Sequence, residues 1–191
     1  MKNMRLSVRA LCEGALMVAL AEILSLLPLY KFPWGGSIDF AMLPVLLFCA
    51  RWGFGPGLLV SFVHGLLQML LDGGIAIGWE SLLGDYLIAY TVLGVAGLFH
   101  RAKGGFFWGA IAGCVARWLV HYVVGATIWA EYMPETFFNM TMTTPWIYSA
   151  LYNGAYMLPD LVLILAVGGL LYAAARKYVT GADLAQSRQS R

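Results

Sequence analysis

Asp85 and Tyr86 interrupt one long apolar run, and Arg117 and His121 stand one helical turn apart in the next, on a shared helix face. Trp129 follows eight residues after His121 and stays close to that face, while Tyr148 and Asn153 open the last apolar run. Trp34 stands in the first loop. Ionisable groups within apolar helices are costly and face a bundle interior or a cavity. Together these residues suit a small, flat, cationic molecule. Tryptophan faces hold a planar heteroaromatic ring and attract positive charge. A carboxylate such as Asp85 neutralises a cation or accepts hydrogen bonds from an amino group. Asn153 offers a donor and an acceptor, Tyr86 and Tyr148 offer hydroxyls, and His121 can play either role. The competing structural reading pairs Asp85 with Arg117 as a buried ion pair joining two helices, and both readings can hold at once.

No catalytic signature accompanies these groups. The sequence has no HExxH, no Gly-x-Ser-x-Gly, no phosphate-cradling loop and no His/Cys cluster with metal-ligand spacing. It reads as a non-enzyme without a metal, so uphill transport would draw its energy from a partner or an ion gradient. Cys12, Cys49 and Cys114 are far apart in apolar runs and read as packing residues. His64 reads as a satisfied packing residue, and Glu13 as a side chain reaching the interface. Glu22 and Asp160 have no evident role in the sequence.

The elements carrying these residues must be membrane helices. Of 191 residues, 61% are hydrophobic and 12% charged, against roughly 25% charged in a soluble domain. Apolar runs separated by turn residues predict an all-α integral membrane domain over residues 1–179, with six spans near Val8–Leu29, Ile38–Ala50, Phe54–Leu71, Trp79–Phe99, Phe106–Trp129 and Ile147–Ala175. The second and third are short, and Pro44 lies inside the second, so residues 38–72 cross twice or form a re-entrant pair. The Gly53-Phe54-Gly55-Pro56-Gly57 run reads as the turn between them. Lys2, Arg5 and Arg9 precede an apolar stretch too long for a signal peptide, which reads as a retained first span. A polar tail, residues 180–191, is expected to be disordered.

Charge sets the orientation. Lys2, Arg5, Arg9, Arg51, Arg101, Lys103, Arg176 and Lys177 fall on one side of the six-span arrangement. Asp72, Glu80, Glu131 and Glu135 fall on the other, with Lys31 as its basic residue. Both termini are therefore expected in the cytoplasm. Trp34, Trp79, Trp129, Tyr132 and Trp146 then lie at external span ends, where an ordinary aromatic belt would also place them. Ala15 and Ala19, four apart in the first span, make a nearly flat helix face. On sequence grounds that face suits internal packing better than a partner.

The chain resembles the thiamine-specific substrate-binding subunits, or S-components, of energy-coupling factor transporters. The resemblance covers nearly the whole hydrophobic region. It is carried by Glu13-x-Ala15-x-x-x-Ala19, Trp34, Ile38-Asp39-Phe40-Ala41-Met42-Leu43-Pro44, Asp85-Tyr86-Leu87, Leu93-Gly94-Val95-Ala96-Gly97-Leu98-Phe99, His121, Trp129-Ala130-Glu131-Tyr132 and Tyr148-Ser149-x-x-x-Asn153-Gly154. It implies six helices in a bacterial cell membrane and a thiamine site near the outer face. Trp34 and Trp129 would be its aromatic contacts, and Asp85, Tyr86, His121, Tyr148 and Asn153 its polar ones. Arg117 and Asp39 would serve either the ligand or the structure. The resemblance also implies thiamine as ligand with no cofactor or nucleic acid. Ala15 and Ala19 would dock on a transmembrane coupling subunit that binds two cytoplasmic ATPases. Two positions depart from the family pattern: Asp85 stands where Glu is expected and Arg117 where Lys is expected. The alternatives are a different vitamin or thiamine precursor as cargo, or a membrane scaffold without transport.

Overall fold

The computed structural model describes residues 7–71 and 76–184. The expectations placed on Lys2, Arg5, Asp72 and residues 185–191 therefore lie outside the described residues. Among the described residues six helical rods follow one another: α1 (Val8–Ser25), α2 (Met42–Trp52), α3 (Phe54–Leu71), α4 (Trp79–Phe99), α5 (Gly105–Thr127) and α6 (Pro145–Val179). Four of these, α3 to α6, are long and apolar enough to cross a membrane. α1 matches them in length with 18 residues but carries Arg9, Glu13 and Glu22.

α2 explains its own shortness. Its 11 residues rise about 16 Å, half of a bilayer core. Met42, Leu43, Pro44, Val45, Leu46, Phe48, Cys49 and Ala50 are all buried, so the helix is apolar on every side because protein surrounds it. Phe48, Met42 and Leu46 join Leu93 of α4 and Ile164 of α6 in the core. Asp39 starts this helix: its carboxylate accepts from the Ala41 N–H and the Ser37 hydroxyl. Its own N–H donates to Asp160 of α6.

The five-residue turn expected after α2 is a single residue. Gly53 has φ +82°, a conformation glycine adopts without strain, and α3 begins at Phe54. Pro56 sits in the first turn of α3, where its missing N–H costs nothing. Helix α4 then lies almost against that turn. A Cβ on Gly97 would sit 2.5 Å from the Gly53 carbonyl carbon.

Two small antiparallel hairpins, absent from the sequence expectation, close the opposite end. β1 (Tyr30–Lys31) pairs with β2 (Ser37–Ile38), and β3 (Thr136–Phe137) with β4 (Met140–Thr141). Phe138 and Asn139 turn the second hairpin with positive φ, as a two-residue hairpin loop requires.

At the basic end, Arg51 donates to Glu13 of α1 and to Asp183 beyond α6, and Arg9 bridges the same two carboxylates. Glu13 is thus an ion-pair partner rather than a side chain merely reaching the interface. The tail expectation needs correction in part, because residues up to Leu184 continue the fold through Asp183. Both described ends of the chain meet here, on the side that the basic residues mark as cytoplasmic.

Candidate ligand site

Asp85 is positioned by an irregular stretch of α4. Residues Leu83–Ile88 form a π-helical segment and Val92–Phe99 a 3-10 segment. The wide π turn, of a kind found frequently at functional sites, re-aims side chains that a regular helix would place elsewhere. The Asp85 carboxylate accepts from Trp129 Nε1 at 2.8 Å and meets His121 Nδ1 at 2.9 Å. That contact places the Nδ1 proton toward the carboxylate and leaves Nε2 as the free position of the ring. His121 Nε2 and Arg117 Nε are buried and have no hydrogen-bond partner among the described residues.

Asn153 ties the last helix to this group. Its amide donates to the His121 and Ser149 carbonyls, and its carbonyl accepts from the Tyr156 hydroxyl. Ser149 also donates to the Tyr122 carbonyl. Above these bonds lies a run of rings. Phe137, carried in by the second hairpin, contacts Trp34 with centroids 5.3 Å apart and Tyr148 at 5.2 Å. Tyr148, Tyr152 and Tyr156 follow one another down α6, and the Tyr152 hydroxyl donates to the Trp34 carbonyl. Phe138, beside Trp34, holds φ +51°, which is unfavourable for a bulky residue and marks a constrained hairpin tip.

The structure thus gathers Asp85, His121, Trp129 and Asn153 by direct bonds, and Trp34 and Tyr148 through Phe137. Tyr86 follows Asp85 in the π segment, half-buried, with its carbonyl close to Gly65 of α3. Arg117, one turn before His121, stacks its guanidinium 3.9 Å from the Tyr90 ring centre and makes no ion pair with Asp85, whose partner is His121. Both Asp39 oxygens are engaged at the start of α2, which gives that residue a structural place. Phe137, Tyr152 and Tyr156 join the site without having been singled out in the sequence, and Ser149, named there only within the Tyr148-to-Gly154 stretch, joins with them. Three tyrosines spaced four apart, 148, 152 and 156, were the available signal.

The belt residues separate cleanly. Trp79 and Tyr132 are 69% and 62% exposed, as interface anchors are, whereas the Trp129 indole is bonded inward to Asp85. His64 is fully buried and bonded to Glu22, which also accepts from Gln68, so the unexplained Glu22 has its partners. Asp160 likewise accepts from the Asp39 N–H. Ala15 and Ala19 face outward, while Gly14, Val18 and Ala21 make the buried face of α1. Those two alanines are thus not part of the buried face of α1, the place that their spacing alone favoured.

Helices that cross a bilayer, with a carboxylate, an imidazole and an indole bonded together among aromatic rings, define a multi-pass membrane protein with a polar site enclosed by its own helices. The family model described as Thiamine transporter protein (Thia_YuaJ) matches residues 11–180. Thiamine transporter ThiT of Bacillus subtilis (strain 168) is 30% identical over 180 residues, 86% of this chain and 91% of that protein. Thiamine transporter ThiT of Lacticaseibacillus paracasei is 28% identical over 190 residues, 90% of each chain. A solved structure of ThiT from Listeria monocytogenes superposes with a TM-score of 0.78 over 90% of this chain and 97% of that one. At 23% identity, that likeness shows the shared fold. The chain belongs to the thiamine transporter family, whose members are multi-pass bacterial membrane proteins and not enzymes.

Proposed function

We propose that this protein is an S-component that captures thiamine at the external face and delivers it to an ATP-driven energy-coupling factor transporter. The observation that carries the proposal is Asp85, held between His121 and Trp129 beneath a run of aromatic rings. Thiamine joins a cationic thiazolium to an aminopyrimidine. The carboxylate supplies the countercharge, and indole and phenol faces suit both rings. His121 Nε2, without a hydrogen-bond partner among the described residues, suits an amino-group donor. Two relatives named as thiamine transporters, alike over nearly their whole length, support the same cargo.

No cofactor enters this reading; thiamine is the ligand. Energy comes from two cytoplasmic ATPases on a transmembrane coupling subunit. The outward-facing Ala15 and Ala19 give that subunit a flat surface for close helix approach. Thiamine added to the purified protein is expected to quench tryptophan fluorescence at submicromolar concentration. Absence of both quenching and binding heat refutes thiamine capture, and tighter binding of a precursor reassigns the cargo. Ala15→Trp with Ala19→Trp is expected to abolish co-purification with the coupling subunit while leaving thiamine binding intact. Retained assembly refutes the docking role.

A further inference from the structure

At the basic end Arg9, Glu13, Arg51 and Asp183 close on one another as two cations and two carboxylates, leaving that quartet without net charge. Beside it lies an open cavity of about 650 Å³, lined by Arg51, His100, Arg101, Lys103, Tyr172 and Arg176 among others, with no carboxylate in its wall among the described residues. Arg51 is already balanced. Arg101, Lys103 and Arg176 have no ion-pair partner among the described residues, so three unbalanced cations surround one cavity.

The fold builds this arrangement deliberately from two sides. Helix α6 departs from helical geometry at Ala175 (φ −131°, ψ 34°), immediately before Arg176. Gly181, with φ +68°, then turns the chain over Arg51; a Cβ there would sit 2.7 Å from the Arg51 carbonyl oxygen. The loop between α4 and α5 supplies Arg101 and Lys103 and ends at Gly104, with φ +69°. Large apolar side chains lie a turn or so farther into the membrane on the same elements: Leu98, Trp108 and Leu171 are all exposed. Cations at the interface with exposed apolar side chains below them match a headgroup above acyl chains.

We propose that this cavity binds the phosphate-bearing headgroup of an anionic phospholipid of the cytoplasmic leaflet. Arg101, Lys103 and Arg176 contact the phosphate, and Leu98, Trp108 and Leu171 flank the chains. The site is separate from the aromatic site and independent of its cargo. The test is native mass spectrometry of the full-length protein with phosphatidylglycerol or phosphatidylcholine as the probe. Phosphatidylglycerol is expected to stay bound where phosphatidylcholine does not. Arg101→Gln, Lys103→Gln and Arg176→Gln are each expected to reduce retention roughly fivefold. All three positions are exposed, and an unchanged melting temperature confirms that each variant folds. Lys177→Gln is the control: its ammonium lies 4.8 Å over the Tyr178 ring and does not line the cavity, so retention stays within about twofold. Equal retention of the two lipids overturns the proposal, as does an equal loss from Lys177→Gln, which means diffuse interface charge. Displacement of phosphatidylglycerol by millimolar inorganic phosphate assigns the cavity to the free anion and overturns the lipid.

Discussion

Replacing Asp85 by asparagine separates the charge of the site from its shape. The carboxylate accepts from both the Trp129 indole and His121, and its side chain is 19% exposed. Asparagine keeps one acceptor oxygen for the Trp129 indole and turns an NH₂ group toward His121 Nδ1, which must change tautomer to accept from it. A cation about 4 Å from a carboxylate at an effective dielectric near 20 gains about 4 kcal/mol. Solvent screening of a partly exposed group halves this to about 2 kcal/mol, or roughly thirtyfold in affinity. The His121 tautomer change moves its proton to Nε2 and alters how the site orients a ligand, adding a smaller factor of about threefold. Thiamine is therefore expected to bind Asp85→Asn 30- to 100-fold more weakly. An uncharged isostere of the thiazolium should lose only the factor of about three that comes from orientation. Isothermal titration of both ligands against both proteins measures the four affinities. Equal losses for the cation and the isostere would refute the electrostatic role of Asp85, as would a thiamine loss below about threefold.

Other perturbations test the frame. Gly97→Ala forces a Cβ to 2.5 Å from backbone of the α2–α3 turn and should lower stability by about 1–3 kcal/mol, a melting shift of several degrees. Gly154→Ala meets nothing closer than Leu158 Cδ1 at 4.0 Å, so its melting temperature should not fall. Glu22→Leu strands His64 Nδ1 inside the bundle and leaves the Gln68 amide with Ser25 Oγ as its remaining acceptor. Thermal melting should then fall by about 2–4 kcal/mol in stability with thiamine affinity unchanged, and an unaltered melting curve would show that the pair contributes nothing. At the basic end, hydrogen bonding from Arg51 holds the Asp183 carboxyl down to about 2, from an ordinary 3.8. A depressed carboxylate stabilises the docked tail fully above its ordinary value, and that contribution is lost as pH falls through about 2. Spin labels on Ala182 and Leu11 should report a fixed distance at neutral pH that broadens in this acidic window, and Asp183→Asn should show the broadened distribution at pH 7. A tail that stays docked in Asp183→Asn would show that another contact anchors it.

The long apolar runs were legible because lipid imposes a length and a composition that propensity alone does not. α3, α4 and α5 accordingly begin and end within two residues of the sequence expectation. α2 was legible as apolar but ambiguous in topology, since a helix enclosed by protein obeys no bilayer length. The glycine-rich run after it read as a loop, yet only Gly53 needs glycine's backbone freedom, and Pro56 fits a helix start. The hairpins left no trace because two-residue strands carry no periodicity. The π segment at Asp85 has no sequence signature either: an extra residue per turn is set by packing, and neither Pro nor a Gly pair marks it.

In the site, charge inside an apolar run was the strong signal and aromatic type the weak one. Asp85 and His121 stood out because ionisable groups are costly in lipid, whereas Phe137, Tyr152 and Tyr156 carry no charge to set them apart in a chain rich in aromatic residues. The alternative of an ion pair between Asp85 and Arg117 shows where such reading stops. Arg117 and His121 share one face of α5, so the sequence specifies the face but not the depth at which α4 meets it. Depth also decides Trp129. On a straight helix it would lie about 12 Å along the axis from His121, too far for one carboxylate to reach both. Instead α5 ends at Thr127, and the Trp129 N–H bonds back to the Val124 carbonyl. The indole folds toward Asp85 because the helix stops there, so the end of α5 is as much a part of the site as the three side chains it brings together.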